Sequence, residues 1–213
     1  DKLEEFKKSG KFVYAYANSY SQKEYYINSV ADQIYLNPMG EVDLKGLSAE
    51  IIYMKDLQEK TGVKMEVIRH GKYKSAVEPF LAQEMSPENR EQMTVLLNSV
   101  WNTIVVDIAK SRKLSIAQLN AIANTLGART PELALANKLV DKVAYEDEYH
   151  DMIKAKLKVD KKEKYAIVSI TDYAKKAAST VEDYSKNDII AVIYAQGEIA
   201  GGEGDVNVIG EGS

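Results

Sequence analysis

A lysine works as a general base only where something takes its amine partly out of water. The stretch Arg69-His70-Gly71-Lys72-Tyr73-Lys74-Ser75-Ala76-Val77-Glu78-Pro79-Phe80 is arranged to offer such a lysine. Ahead of it Val63, Met65 and Val67 alternate along the chain, the pattern of a β-strand with those three side chains on its core face. Gly71 permits a sharp turn, and Lys74 arrives just past it, beside Ala76 and Val77. Desolvation by such neighbours lowers the pKa of an amine and lets it accept a proton. The competing reading is a solvated surface lysine, which is what most lysines are. Ser75 is adjacent, but neighbouring side chains on extended backbone point apart, so it is not expected to be the group that Lys74 serves.

The elements needed to position this stretch can be read along the chain. Leu3 and Phe6 face inward from an amphipathic helix stopped by Gly10. Phe12-Val13-Tyr14-Ala15-Tyr16-Ala17 predicts a strand buried on both faces. Ser19 and Ser21 lie in the loop beyond it, where either can cap the helix through Tyr25, Tyr26, Ser29 and Val30. Ile34-Tyr35-Leu36 is a second strand ended by Asn37-Pro38-Met39-Gly40, and Val42 with Leu44 a short third. Gly46-Leu47-Ser48 opens a helix carrying Ile51, Met54 and Leu57 and ending at Thr61-Gly62.

Beyond Lys74, Ser86-Pro87 caps the longest predicted helix, residues 89–111, with an apolar stripe from Met93 through Trp101 to Ile108. Shorter helices follow from Leu114-Ser115 and Thr130-Pro131, then a short strand at Leu139–Val143, where Asp141 is expected to hold a turn. Acids at 146–151 and bases from Lys154 suit a helix ending near Leu157. Tyr165–Ile170 and Asp188–Ala195 read as strands, and Tyr173–Lys176 as a short turn or linker. Alternating strand and helix predicts an α/β fold with a mostly parallel sheet, whose sites gather beyond the carboxyl ends of its strands. Lys74 occupies that class of position.

Composition narrows the function classes. Of 213 residues, 45 % are hydrophobic and 28 % charged, and the net charge of −4 is spread without a basic patch, which argues against nucleic acid as a partner. The chain has no cysteine, and its two histidines, His70 and His150, lie far apart, so disulfides and thiolate or zinc-type spacing are excluded and neither a metal nor a cofactor is expected. Absence of cysteine is compatible with an extracytoplasmic compartment. Nothing in the sequence has the form of a signal peptide or membrane span.

Gly71-Lys72-Tyr73-Lys74-Ser75-Ala76-Val77-Glu78-Pro79-Phe80, followed by Met85-Ser86-Pro87-Glu88 and Arg90, resembles the long-form signal peptide peptidase A (protease IV) family of S49 serine proteases. The resemblance runs from Gly10-Lys11 to Gly204. It implies a crotonase/Clp-like fold of the ββα superhelix type, duplicated into two halves, and a Ser–Lys dyad whose general base is Lys74. In crotonase-like relatives the loop after a strand like 12–17 bears the nucleophile. Here Tyr20-Ser21-Gln22-Lys23-Glu24 lacks a Ser-Gly-Gly motif, so Ser19 and Ser21 are expected to mark a retired site.

The resemblance further implies residues 1–170 as an amino-terminal half, 171–187 as a linker, and 188–213 as the start of a catalytic half. The nucleophilic serine would lie beyond Ser213, so the chain alone would be an inactive fragment. The implied whole is a homo-oligomer, a tetramer, on the periplasmic face of the bacterial inner membrane, held by an anchor absent here. Its implied substrates are hydrophobic remnants of cleaved signal peptides. Two other classes compete: a non-catalytic assembly or peptide-binding module, with Lys74 kept for packing or for a salt bridge to Glu78, and a crotonase-type acyl-thioester enzyme.

Overall fold

In a computed structural model the structure describes residues 2–68, 70–71, 73–178, 198–199 and 208–209. Two compact units divide the chain, residues 1–163 and 164–213.

The first unit is built on a small sheet. After helix α1 (Lys2–Lys8), strand β1 (Tyr14–Ala17) leads through helix α2 (Gln22–Asn28) to strand β2 (Gln33–Leu36). β1 and β2 run parallel, with Tyr14 opposite Gln33 and Ala17 opposite Leu36. Parallel neighbours cannot be joined by a hairpin, and α2 is the crossover that geometry requires. Then come α3 (Lys55–Thr61), the single turn α4 (Glu78–Leu81), the long α5 (Pro87–Arg112), α6 (Ile116–Asn124) and α7 (Pro131–Ala136). Strand β3 (Lys142–Val143) completes a sheet of order β1-β2-β3, also parallel, before α8 (Glu146–Leu157) closes the unit.

Local chemistry explains most boundaries. Ser86 caps α5, its hydroxyl accepting from Asn89 N at 3.2 Å, with Pro87 at the first helical position, where its missing N–H costs nothing. Ser115 and Gln118 form a capping box on α6, and Thr130 caps α7 ahead of Pro131. The core gathers Tyr25, Ile34, Leu36, Val105, Ile108, Leu119 and Leu139, all fully buried. Burial of each such aliphatic side chain is worth about 1.5–3 kcal/mol. Among the described residues no helix is long and apolar enough to cross a membrane.

Several expected elements differ. Val63, Met65 and Val67 form no strand: residues 63–68 are irregular, with Val63 64 % and Ile68 105 % exposed. Alternation makes a strand only when a neighbouring backbone pairs with it, and none does among the described residues. Val42 and Leu44 are buried, but Val42 makes only an isolated parallel bridge to Tyr20. The helix expected from Gly46 starts at Lys55 instead. Gly46 adopts φ +92°, and the Gln22 side chain holds the preceding backbone open by accepting from Lys45 N and Gly46 N at 3.2 and 3.1 Å.

α5 buries Val105, Ile108 and Ala109 toward its C-terminal end, whereas Leu96 and Val100 nearer its middle stay exposed, so the expected stripe is covered along only part of its length. In the second unit, residues 165–169 are irregular rather than a strand, and α9 (Ile170–Ala178) stands where a turn was expected. There β4 (Glu198–Ile199) pairs in parallel with β5 (Val208–Ile209). The run at 188–195 lies outside the described residues.

Candidate active site: the Lys74 loop

Lys74 sits on an irregular excursion between α3 and α4. Its turn depends on Gly71, whose φ of +102° lies in the left-handed region that only glycine enters without strain. The two stems of the excursion are joined by one side chain. Gln58 on α3 accepts from Met65 N at 2.8 Å and donates from Nε2 to the Phe80 carbonyl, also at 2.8 Å. The C-terminal stem is tied twice more to α3 and its approach: Met54 N donates to the Pro79 carbonyl at 2.7 Å, and Gln83 Nε2 to Asp56 Oδ1 at 2.7 Å. Both stems are therefore fixed although the described residues between them form no helix or strand.

Glu78 closes the turn after Lys74. Its backbone N–H donates to the Ser75 carbonyl at 2.9 Å, and its side chain turns inward, leaving the residue 4 % exposed. One carboxylate oxygen accepts from Ser86 N at 2.9 Å and the other from the Asn89 side-chain amide. Asn89 is itself 3 % exposed. The Tyr53 hydroxyl is buried nearby, beside Glu78 and Asn89. Burial, then the negative charge of Glu78, raises its pKa. Tyr73 on the outer side reaches Glu91 Oε2 at 3.5 Å.

Lys74 itself is exposed, while Ser75 and Val77 are half-buried. The small and apolar neighbours at 75–77 do not enclose its side chain, contrary to the expectation from sequence. They lie on the irregular backbone that carries it rather than across from it. Lys72, the natural comparison for Lys74, lies outside the described residues.

The other candidate hydroxyls are engaged or unsupported. Ser21 is the N-cap of α2. Its Oγ accepts from Glu24 N at 3.3 Å and donates to Glu24 Oε2 at 2.7 Å, and Ser21 N donates to the same carboxylate at 2.9 Å. These bonds hold the Glu24 carboxyl below the usual range and leave the hydroxyl in a structural role, as the cap reading has it. Ser19 is exposed in the loop before it.

Asp141 does more than hold a turn. It accepts from Ile34 N at 2.8 Å, at the start of β2, and from both terminal nitrogens of Arg112. That contact lies at the amino end of the strand, away from the side where chemistry gathers in parallel sheets. His70 is exposed and His150 faces Glu146 at 3.8 Å, and among the described residues no group of acids and histidines could hold a metal ion.

Gln58 and Asn89 escape sequence reasoning. Each acts across the fold, and an amide between charged helix residues gives no local sign of it. Glu78 carries one faint signal, an acid that starts a helical turn immediately before proline and eight residues ahead of a Ser-Pro cap.

The model of a family described as peptidase family S49 matches residues 5–160. The chain is 33 % identical over 214 residues to "Protease 4" of Haemophilus influenzae, covering 95 % of this chain and 34 % of that protein. It is 37 % identical over 209 residues to "Protease 4" of Salmonella typhi, covering 94 % and 33 %. Against "Serine protease SPPA, chloroplastic" of Arabidopsis thaliana the identity is 29 % over 205 residues, covering 96 % and 30 %. The chain thus spans about a third of the length of the curated relatives it matches.

Proposed function

Because the chain belongs to peptidase family S49, we propose that it supplies the general base, Lys74, of a serine endopeptidase whose nucleophile comes from a portion outside these residues. The observation that carries this reading is the Lys74 loop: an exposed lysine on an irregular segment whose two stems are joined through Gln58. An irregular loop held at its base can present one amine to an incoming element without rearranging.

In the proposed reaction the neutral Lys74 amine takes the proton of the serine hydroxyl, the serine oxygen attacks the peptide carbonyl, and backbone N–H groups stabilise the oxyanion. An ordinary lysine titrates near about 10.4, so its pKa must fall for the amine to be neutral at working pH. The element that brings the serine also covers Lys74, and desolvation on docking supplies the base. On this reading the chain alone is inactive.

The finer architecture follows the same reading: a crotonase/Clp-like ββα superhelix, with residues 1–170 as one half, 171–187 as linker and 188–213 as the beginning of the second half. The parallel β1-β2-β3 sheet and its α2 crossover support it. The proposed setting is the periplasmic face of a bacterial inner membrane, reached through an anchor outside these residues, in a homotetramer that degrades hydrophobic remnants of signal peptides. Val95, Leu96 and Val100 on the exposed half of α5 offer apolar surface for assembly.

The deciding experiment is turnover of an apolar peptide by a protein of the relatives' full length, across pH 6 to 10. Lys74→Ala and Lys74→Met should abolish hydrolysis with fold and assembly intact, and Lys74→Arg should fail nearly as fully, because a guanidinium keeps its proton. Lys72→Ala should leave turnover close to wild type. Activity surviving in Lys74→Ala would instead favour a non-catalytic assembly or peptide-binding role for this portion.

A further inference from the structure

Glu78 has no part in the proton transfer just described, yet both oxygens of its carboxylate are held by hydrogen bonds. Taking a carboxylate out of water is costly unless hydrogen bonds replace the lost hydration, and Glu78 is 4 % exposed. Part of the replacement comes from the Ser86 backbone N–H and the Asn89 side-chain NH2. Both belong to the first turn of α5 or its cap, where the helix dipole also favours a negative charge. At its other end Glu78 grips the loop itself, since its N–H donates to the carbonyl of Ser75, the residue next to Lys74.

We propose that Glu78 is a positioning residue for Lys74, a clamp that fastens the turn after the lysine to the start of α5 and so sets where the amine emerges. The proposal rests on Lys74 as general base. It adds a device that Gln58 alone does not provide. Gln58 fixes the loop stems at Met65 and Phe80, whereas Glu78 reaches Ser75. In the clamp both carboxylate oxygens accept, while Ser86 N and Asn89 Nδ2 donate.

That directionality gives the test. In the full-length protein, Glu78→Met removes both acceptors and opens the clamp. Glu78→Gln with Asn89→Asp rebuilds it: the glutamine amide donates to the new carboxylate, and its carbonyl accepts from Ser86 N–H. Amide hydrogen exchange at residues 73–77 should quicken in Glu78→Met and return to the wild-type rate in the double variant. A misplacement of about 1 Å costs up to about 10²-fold, so kcat should fall between about 10- and 100-fold in the single variant and recover to within about 3-fold in the double, with KM little changed. The pH at which kcat/KM half-develops should stay where it is in the double variant, which keeps one carboxylate in the clamp.

Unchanged exchange at 73–77 in folded Glu78→Met would overturn the proposal, and so would failure of the double variant to restore it. Faster exchange with undiminished kcat, in a protein where Lys74→Ala is inactive, would also overturn it. If Lys74→Ala remains active, the exchange data still decide whether the clamp exists, and only the assignment of the base is lost.

Discussion

Arg112 and Asp141, 29 residues apart, meet through two hydrogen bonds, Nη1 to Oδ2 at 3.0 Å and Nη2 to Oδ1 at 2.8 Å. The guanidinium side chain is 8 % exposed and the carboxylate 30 %. Arg112 also donates to the Lys138 carbonyl from Nε and Nη2, and Asp141 accepts from Ile34 N, so the pair joins the end of α5, the end of α7 and the start of β2. Its value lies in satisfying buried groups together.

Removing either partner therefore leaves the other uncompensated. Arg112→Met should cost about 2–3 kcal/mol, below the about 3–5 kcal/mol of a fully buried pair because Asp141 keeps some contact with water. Asp141→Asn should cost less, since its carbonyl can still accept from Ile34 N–H. Urea unfolding of both single variants and the double variant checks this: a double-variant loss equal to the sum of the singles would show that the two residues do not act together.

Ser21→Ala separates a cap from a nucleophile. Loss of the capping box should lower stability by about 1 kcal/mol, while peptide hydrolysis in the full-length protein continues. Abolished hydrolysis with an unchanged melting temperature would return Ser21 to the chemistry.

Gly40 is required for space. A Cβ there would stand 1.9 Å from the Asn18 carbonyl oxygen and 2.9 Å from Leu36 Cδ1. The first of these is backbone at the end of β1 and cannot swing aside. Gly40→Ala should destabilise by about 1–3 kcal/mol or more through overpacking, seen as a lower urea midpoint. A midpoint equal to wild type would mean that the Asn37–Gly40 turn yields without cost.

Asp32 links the amino-terminal helix to the sheet through Lys7 Nζ at 2.8 Å and Val13 N at 2.9 Å. Partial burial works to raise its pKa, but the Lys7 contact and the Val13 N–H outweigh it and hold the carboxyl below its ordinary 3.8. A folded-state pKa below the unfolded one stabilises above the unfolded value, and the contribution is lost as pH falls through the folded value. Melting temperatures of wild type and Asp32→Asn should therefore differ at pH 6 and converge as pH drops below about 3.8. The side chain is 38 % exposed, so the gap should be small. A gap constant from pH 6 to 2 would contradict the assignment.

Much of the fold was legible because local chemistry carried it. Tyr14–Ala17 falls within one apolar run and Ile34–Leu36 of β2 forms another, each closed by breakers, and Ser86, Ser115 and Thr130 announce their helices by the residues that follow. Val63-Met65-Val67 misled because alternation describes one strand and says nothing of whether a partner exists. Gly46-Leu47-Ser48 looked like a helix start, but Gln22, 24 residues earlier, takes the Gly46 N–H. At the candidate site, Gly71 and Lys74 stand out by residue type and spacing. The clamp at Glu78 and Asn89 and the bridge at Gln58 do not, since each contact exists only once α3, α4 and α5 have packed.

The position of β3 bears on the order in which the chain can assemble. Tyr25 donates to the Leu139 carbonyl across 114 residues, and Ile34 N to Asp141 across 107. β1 and β2 can pair as soon as α2 links them, but the edge beside β2 stays open until the segment at 139–143 arrives. Closing so long a loop slows folding more than it weakens the product. A ribosome adding about 5–20 residues per second would leave that edge uncovered for several seconds at least. Over that interval Ile34, Tyr35 and Leu36 present an unpaired apolar strand edge, and chain arrest or cleavage before residue 139 should yield insoluble material rather than a smaller folded domain.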